Sequence, residues 1–469
     1  MTIKKAFAFL ICILTVLAAL APSYAAEREM RGVWVSTVYG IDYPQETSDD
    51  FEVLAYQADE IIENIKAAGF NTIFLQVRPS CDAIYPSELF TVSRHLTGAY
   101  GRTVNGDILE YWIKKAHENN IELHAWVNPY RVTTGGASEY ESLPENHIAK
   151  QHPEWLLEAG GNYYLDPSLH DVRQLVCAGV EELIQNYDID GIHMDDYFYP
   201  STDLDDSADY EAYREYAGEN AMSADDWRRN NVDTLINDLH SLTSQYGMTF
   251  GISPCAIWEN KSDNPLGSDT NGFASYSDIY ADTRKWALNG WVDYIAPQIY
   301  FENGHSLADF KTLLDWWSDT LAESDTKLYI GLADYKADDT GSDSIWYDGK
   351  EISRQILQIR NDKKAEGAIH FSYSSVFNNP LILDAVTERY AGYDGGLNLY
   401  NGSRTEQKTA VCAYYDINNN LIKVQTYNMA EISNEAIRAS ANDEASYAKC
   451  SIYDSDSGEF EGEIIKIVM

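Results

Sequence analysis

Eight short apolar runs recur along the chain, at 31–37, 71–79, 121–129, 191–198, 249–258, 293–300, 327–335 and 368–374. Runs that stay apolar at consecutive positions suit parallel strands covered on both faces. Amphipathic segments separate them. At 51–68, Ile61, Ile62 and Ile65 share one helical face, and Gly69 supplies a stop signal. At 108–119 the preceding Asp107 suits an N-cap. At 172–186, Val176, Val180, Leu183 and Ile184 lie opposite Glu181 and Glu182. Further helices are predicted at 227–246, 277–288, 307–321 and 351–365. This alternation predicts an α/β chain built as a (β/α)8 TIM barrel. An open doubly wound sheet is the alternative, but no Gly-rich phosphate loop follows the first run, which excludes its nucleotide-binding form.

The two ends read differently. Lys4 and Lys5, an apolar run at 6–21 and Ser23-Tyr24-Ala25 form a secretory-leader pattern over 1–25, with a retained N-terminal anchor as the competing reading. The expected location is therefore secreted or cell-envelope, with no membrane span in the mature protein. The barrel is expected over 26–393. Gly395-Gly396 and Asn401-Gly402 then read as a linker. Short strands at 410–415, 421–427, 448–453 and 462–468 predict a small all-β, sandwich-like accessory module over 405–469. The formal charge is −40, and losing Lys4 and Lys5 with the leader makes it −42. Such a surface repels phosphate backbones and argues against nucleic acid as a partner. Five cysteines follow the leader, with no C-x-x-C pair to suggest zinc or a redox motif. Cys412 and Cys450 share the C-terminal segment as a disulfide or as two buried thiols.

The fourth run ends Asp190-Gly191-Ile192-His193-Met194-Asp195-Asp196-Tyr197-Phe198-Tyr199-Pro200. Paired acids closing a buried strand are costly unless they do something, and acids at the C-terminal end of barrel strands belong to active sites. A solvated strand end is the alternative. The other run ends add Gln76 and Arg78, then His124, Trp126 and Asn128 on one parity, followed by Tyr130 and Arg131. Ser253, Trp258, Gln298 and Tyr300 follow. With 34 Tyr and 11 Trp in the chain, this polar and aromatic inventory suits sugar rings. Breaking a glycosidic bond takes two carboxyls. Asp195 is the first choice and Glu302 its partner, with Asp334 and Glu259 as alternatives. Asp196 is placed to orient an arginine or to raise the pKa of Asp195. The expected substrate-binding set is Arg78, Asn128, Tyr130, Arg131, His193, Tyr197, Trp258, Gln298 and Tyr300. No cofactor is expected. Metal binding by His124, His193 and the two acids is a rival use, disfavoured by the nearby arginines. The acidic stretch 203–209 reads as a solvated loop.

Arg31-Gly32-Val33-Trp34-Val35-Ser36-Thr37, Gln76-Val77-Arg78-Pro79, the run from His124 to Arg131, Asp190 to Pro200, Gly251-Ile252-Ser253-Pro254 and Pro297-Gln298-Ile299-Tyr300 together resemble the bacterial glycosyl-hydrolase-like 10 family. The resemblance implies a TIM barrel, an extracytoplasmic location and hydrolysis of O-glycosidic bonds. It implies cell-wall glycan or another polysaccharide as substrate. Gly191 to Asp195 is also similar to the fourth-strand motif of α-amylase-type barrels, whose final Asp is the nucleophile. Against family 18 chitinases, the acid position falls on Tyr197, so substrate-assisted catalysis is not implied. Glu259 stands where the family often has Arg. A non-catalytic glycan-binding protein on the same scaffold and a metal-dependent deacetylase are the competing functions.

Overall fold

The computed structural model describes residues 29–200, 209–216, 222–337, 341 and 344–390, and four C-terminal strands between 408 and 468. The leader at 1–25, the linker and most of the 203–209 stretch lie outside the described residues. Eight parallel strands close into a barrel. They are β1 (Met30–Val35), β2 (Thr72–Arg78), β3 (Glu122–Val127), β6 (Gly191–Met194), β7 (Thr249–Ile252), β8 (Tyr294–Ile295), β9 (Lys327–Leu332) and β10 (Ala365–His370). The order is β1-β10-β9-β8-β7-β6-β3-β2, with β1 pairing to both β2 and β10. β4 (Leu156–Ala159) and β5 (Asn162–Leu165) form a hairpin in the insert after β3.

The continuous apolar runs resolve into two layers by parity. On β1, Val33 and Val35 face the helices while Trp34 faces the axis. The interior is aromatic, with Trp34, Phe74, Trp126, Tyr294 and Tyr329 packed around the axis. Strand glycines leave room for these rings. A Cβ on Gly191 would meet His124 Nδ1 at 2.5 Å, and one on Gly32 would meet Phe74 at 2.6 Å. A Cβ on Gly251 would overlap the Tyr294 ring itself. That ring is hemmed in by Phe74, His124, His193 and Tyr329. Gly251→Ala is therefore expected to cost about 3 kcal/mol, the upper range for overpacking. Thermal denaturation checks this, and an unchanged midpoint would contradict the placement of Tyr294 at the axis.

Several strands are shorter than their apolar runs. β6, β7 and β8 end at Met194, Ile252 and Ile295. Beyond these ends the pairing continues as isolated bridges, Cys255 with Gln298 and Gln298 with Gly331, because Pro254 and Pro297 have no N–H to extend a regular ladder. The helix expected at 277–288 is two pieces, Ser275–Asp278 and Thr283–Leu288, split at Tyr280, whose φ is +55°. The helix expected to reach 365 ends at Arg360, and Ala365 opens β10. Asp209 is buried against Arg228 instead of lying in a solvated loop.

The C-terminal strands β11 (Lys408–Tyr415), β12 (Leu421–Asn428), β13 (Tyr447–Asp454) and β14 (Glu459–Val468) form one antiparallel sheet, ordered β12-β11-β13-β14. Among the described residues this is a single sheet, where the sequence suggested a sandwich. Cys412 is disulfide-bonded, and the register sets it opposite Cys450. No helix among the described residues is long and apolar enough to cross a membrane.

Candidate active site

Asp195 is the first residue beyond β6. It keeps the inward parity of His193 and lies at the C-terminal mouth of the barrel. Its carboxylate accepts from Trp126 Nε1 at 3.1 Å, from Asn128 Nδ2 at 3.3 Å to both oxygens, and from the Tyr197 amide at 3.4 Å. It is only 4% exposed. Burial pushes its pKa up to about 6, Arg131 pulls it down, and the charge of Asp196 pushes it up. Asp196 is half-buried and accepts from the Cys255 thiol, Sγ to Oδ2, at 3.4 Å. Its pKa is also raised by burial, against the pull of Cys255, Arg131 and Gln298. The two acids thus form one interacting pair.

His193 lies beneath this pair, fully buried. Trp34 Nε1, which can only donate, points at His193 Nε2 from 3.1 Å. Nε2 is therefore the acceptor and Nδ1 carries the proton. That Nδ1 lies 2.9 Å from the Tyr294 hydroxyl, which lies 3.0 Å from His124 Nδ1. The chain of donors runs Trp34, His193, Tyr294, His124. Burial lowers the pKa of His193 well below its usual value and that of His124 to about 4, so both rings are neutral. His193 forms the floor of the site and does not line the cleft. Both histidines commit nitrogens to this chain, and no three metal-ligating groups converge among the described residues.

The other expected residues divide. Asn128, Arg131, Tyr197, Gln298 and Tyr300 gather at the pair. Asn128 Oδ1 accepts the Arg131 amide at 2.9 Å. The Arg131 guanidinium sits 4.5 Å from the Tyr197 ring centroid and donates to the Pro79 carbonyl at 3.0 Å. Tyr197 is 46% exposed. Gln298 Nε2 donates to the Ser253 carbonyl at 2.8 Å. The charge of Asp196 acts on the Tyr300 hydroxyl, and the Tyr300 ring meets Tyr335 and Phe371.

Arg78, Tyr130 and Trp258 do not line the cleft. A register shift between Gln76 and Arg78 turns the Arg78 side chain outward. Its guanidinium lies 3.9 Å from the Phe90 ring centroid, against Gly179 of the helix His170–Asn186. Tyr130 is fully buried, within the electrostatic reach of Cys177 and Arg173 on that same helix. Trp258 donates to Asp282 at 2.9 Å and stacks on Trp316 of the helix Phe310–Thr320. Arg78 is the last ladder residue of β2, beyond the register shift, and Tyr130 and Trp258 lie past the ends of β3 and β7, where alternation no longer fixes direction.

Of the expected partner acids, Glu302 exerts its charge on Lys336. Asp334 is fully buried against His370 Nδ1, with both oxygens at 3.0 Å. Glu259 accepts its neighbouring amide, Asn260 N, at 2.7 Å. The acid beside Asp195 is Asp196. Trp126, Cys255 and Tyr335 join the site without having been singled out as binding residues. Parity flagged Trp126 beside His124 and Asn128. It also carries Gly251, Ser253 and Cys255 on one side.

A family profile described as Glycosyl hydrolase-like 10 matches residues 29–348. The chain is 38% identical over 364 residues to Glycosyl hydrolase YngK of Bacillus subtilis strain 168, covering 76% of this chain and 70% of that protein. It is 37% identical over 332 residues to Glycosyl hydrolase DigH of Escherichia coli K12, covering 67% and 75%. The glycoside hydrolase domain of PgaB (BpsB) from Bordetella bronchiseptica superposes with a TM-score of 0.50 at 14% identity, over 77% of this chain and 99% of that one. This last likeness concerns the fold alone.

Proposed function

The chain belongs to the glycosyl hydrolase-like 10 family, and on that premise we propose that it hydrolyses O-glycosidic bonds of a polysaccharide through Asp195 and Asp196. Bacterial cell-wall glycan is the proposed substrate class. The observation that carries the reading is the interacting carboxylate pair at the barrel mouth, both members held above ordinary carboxylate values. Three N–H donors face Asp195 and favour its ionised form. One member of the pair meets the developing oxocarbenium carbon as a negative charge, and the other delivers a proton to the leaving oxygen and then takes one from the incoming water. Tyr197, Tyr300 and Tyr335 offer rings for sugar faces. A non-catalytic glycan binder remains the second reading. Product release from a panel of polysaccharides separates the two, because a binder releases none from either the native protein or its Asp195→Asn variant.

Secretion or an envelope location belongs to the same proposal, supported by the leader pattern and by the disulfide at Cys412. So does a division into a barrel over 26–393 and an accessory module over 405–469.

Arg131 narrows the substrate. In a chain of net charge −40 its guanidinium is stacked on Tyr197 at the mouth, and its Nη1 donates to the Pro79 carbonyl. It suits an acidic sugar substituent, such as the lactyl carboxylate of muramic acid. Arg131→Ala is expected to lower turnover of acidic glycans about 10-fold or more relative to neutral ones, the worth of a charged hydrogen bond. The ratio is the readout, because Arg131 also bears on the pKa of both acids. An unchanged ratio would remove the acidic substituent from the proposal.

A further inference from the structure

The two acids are served by unequal donors. Asp195 receives an indole N–H, a carboxamide and a backbone amide. Asp196 Oδ2 receives a thiol, the weakest donor among the polar side chains, and its charge is further supported by its own amide and by Gln298. That thiol is fixed in place. Cys255 is bridged to Gln298 in a parallel register, and the Gln298 amide donates to the Pro254 carbonyl at 2.9 Å. Gln298 Nε2 ties the same segment down through the Ser253 carbonyl.

We infer that Cys255 is a positioning residue, whose thiol holds the Asp196 carboxyl in place and supports its charge. The inference rests on the proposed role of the pair and names the group that positions one of its members. The thiol itself does not ionise. Burial and the charge of Asp196 push its pKa well above the usual thiol value, so it donates and is no nucleophile. The ionisable and charged groups facing Asp196 are Asp195 and Tyr197 beside it in sequence, Arg131 from the segment after β3, Cys255 after β7 and Tyr300 after β8. Of these, Cys255 can be altered without changing the charge around the pair.

The test is a pair of variants read in two ways. Cys255→Ser puts a stronger donor beside Asp196 and stabilises its ionised form, with a small rotation of the carboxyl taking up the shorter C–O bond. Cys255→Ala removes the donor. The carboxyl titration of Asp196, followed by carbon-13 labelling of aspartate and assigned with Asp196→Asn, should move down by about one pH unit in the serine variant and up in the alanine variant. The limb of kcat/KM that Asp196 sets should move in the same order. Identical titrations in all three proteins would overturn the inference, whatever their activity. Shifted titrations in a protein that hydrolyses no glycan would uphold it while overturning the glycosidase reading. If the serine variant does not fold, the upward shift in the alanine variant decides alone.

Discussion

Replacing Asp195 by Asn is expected to lower kcat by about 10³-fold or more while leaving the protein at least as stable at neutral pH. Activity falls because one of the two carboxyls that the proposed reaction needs is gone. The stability half follows from burial. The Asp195 carboxyl is pushed from its usual 3.8 up to about 6 in the folded chain. The unfolded chain therefore loses this proton first. The contribution of the group to stability is complete below about pH 4 and is lost as pH rises through about 6, a swing of a few kcal/mol. Asn carries no charge to bury and escapes this cost. Thermal midpoints of the two proteins should meet near pH 4, and above pH 7 the variant should equal or exceed the parent. A variant clearly less stable at pH 8 would show that the hydrogen bonds to Asp195 outweigh its desolvation. Retained hydrolysis would remove Asp195 from the chemistry.

That trade is visible in the sequence only in part. Eight apolar runs and the helices between them were enough for the barrel, because both depend on local spacing. The strand pair at 195–196 was legible for the same reason: acids immediately after Met194 cannot escape the end of a buried strand. The limits appear where one residue changes a direction. The shift between Gln76 and Arg78 turns an expected cleft arginine toward Phe90 and Gly179. Nothing in Gln76-Val77-Arg78-Pro79 announces it, since a bulge depends on how the neighbouring strand pairs. Tyr130 and Trp258 also turn away from the cleft, three and six residues past the ends of β3 and β7. Adjacent side chains diverge within a strand, which favours Glu302 as the partner of Asp195, but β6 has already ended at Met194 and Asp196 stays beside Asp195.

Asp209 was misread for a different reason, since its acidic neighbours suggested solvent, and its replacement should have the largest effect on stability. Arg228 grips it with both arms, Nε to Oδ2 at 2.8 Å and Nη2 to Oδ1 at 2.7 Å, with side chains 4% and 1% exposed. The Tyr199 hydroxyl donates to the same Oδ2 at 2.6 Å, and Arg228 Nη1 donates to the Tyr280 hydroxyl at 2.8 Å. Tyr199 lies four residues beyond Asp195, so this cluster anchors the segment that presents the carboxylate pair. Asp209→Ala leaves the buried guanidinium to the exposed Asp225 carboxylate, 3.9 Å away, and should cost about 3 kcal/mol, the lower range for breaking a buried pair. It should also lower kcat, because Tyr199 loses the acceptor that holds its end of the segment. Removing both charges, as in Asp209→Ala with Arg228→Met, should recover much of the stability, since most of the penalty is the buried charge itself. Activity should not return with it, because the Tyr199 hydroxyl still lacks its acceptor. Urea unfolding and steady-state kinetics on the same three proteins check both halves. A single variant that loses less than about 1 kcal/mol would mean that Arg228 reaches water or another acid once Asp209 is gone. A double variant that regains full turnover would mean that the carboxylate pair is held without Tyr199.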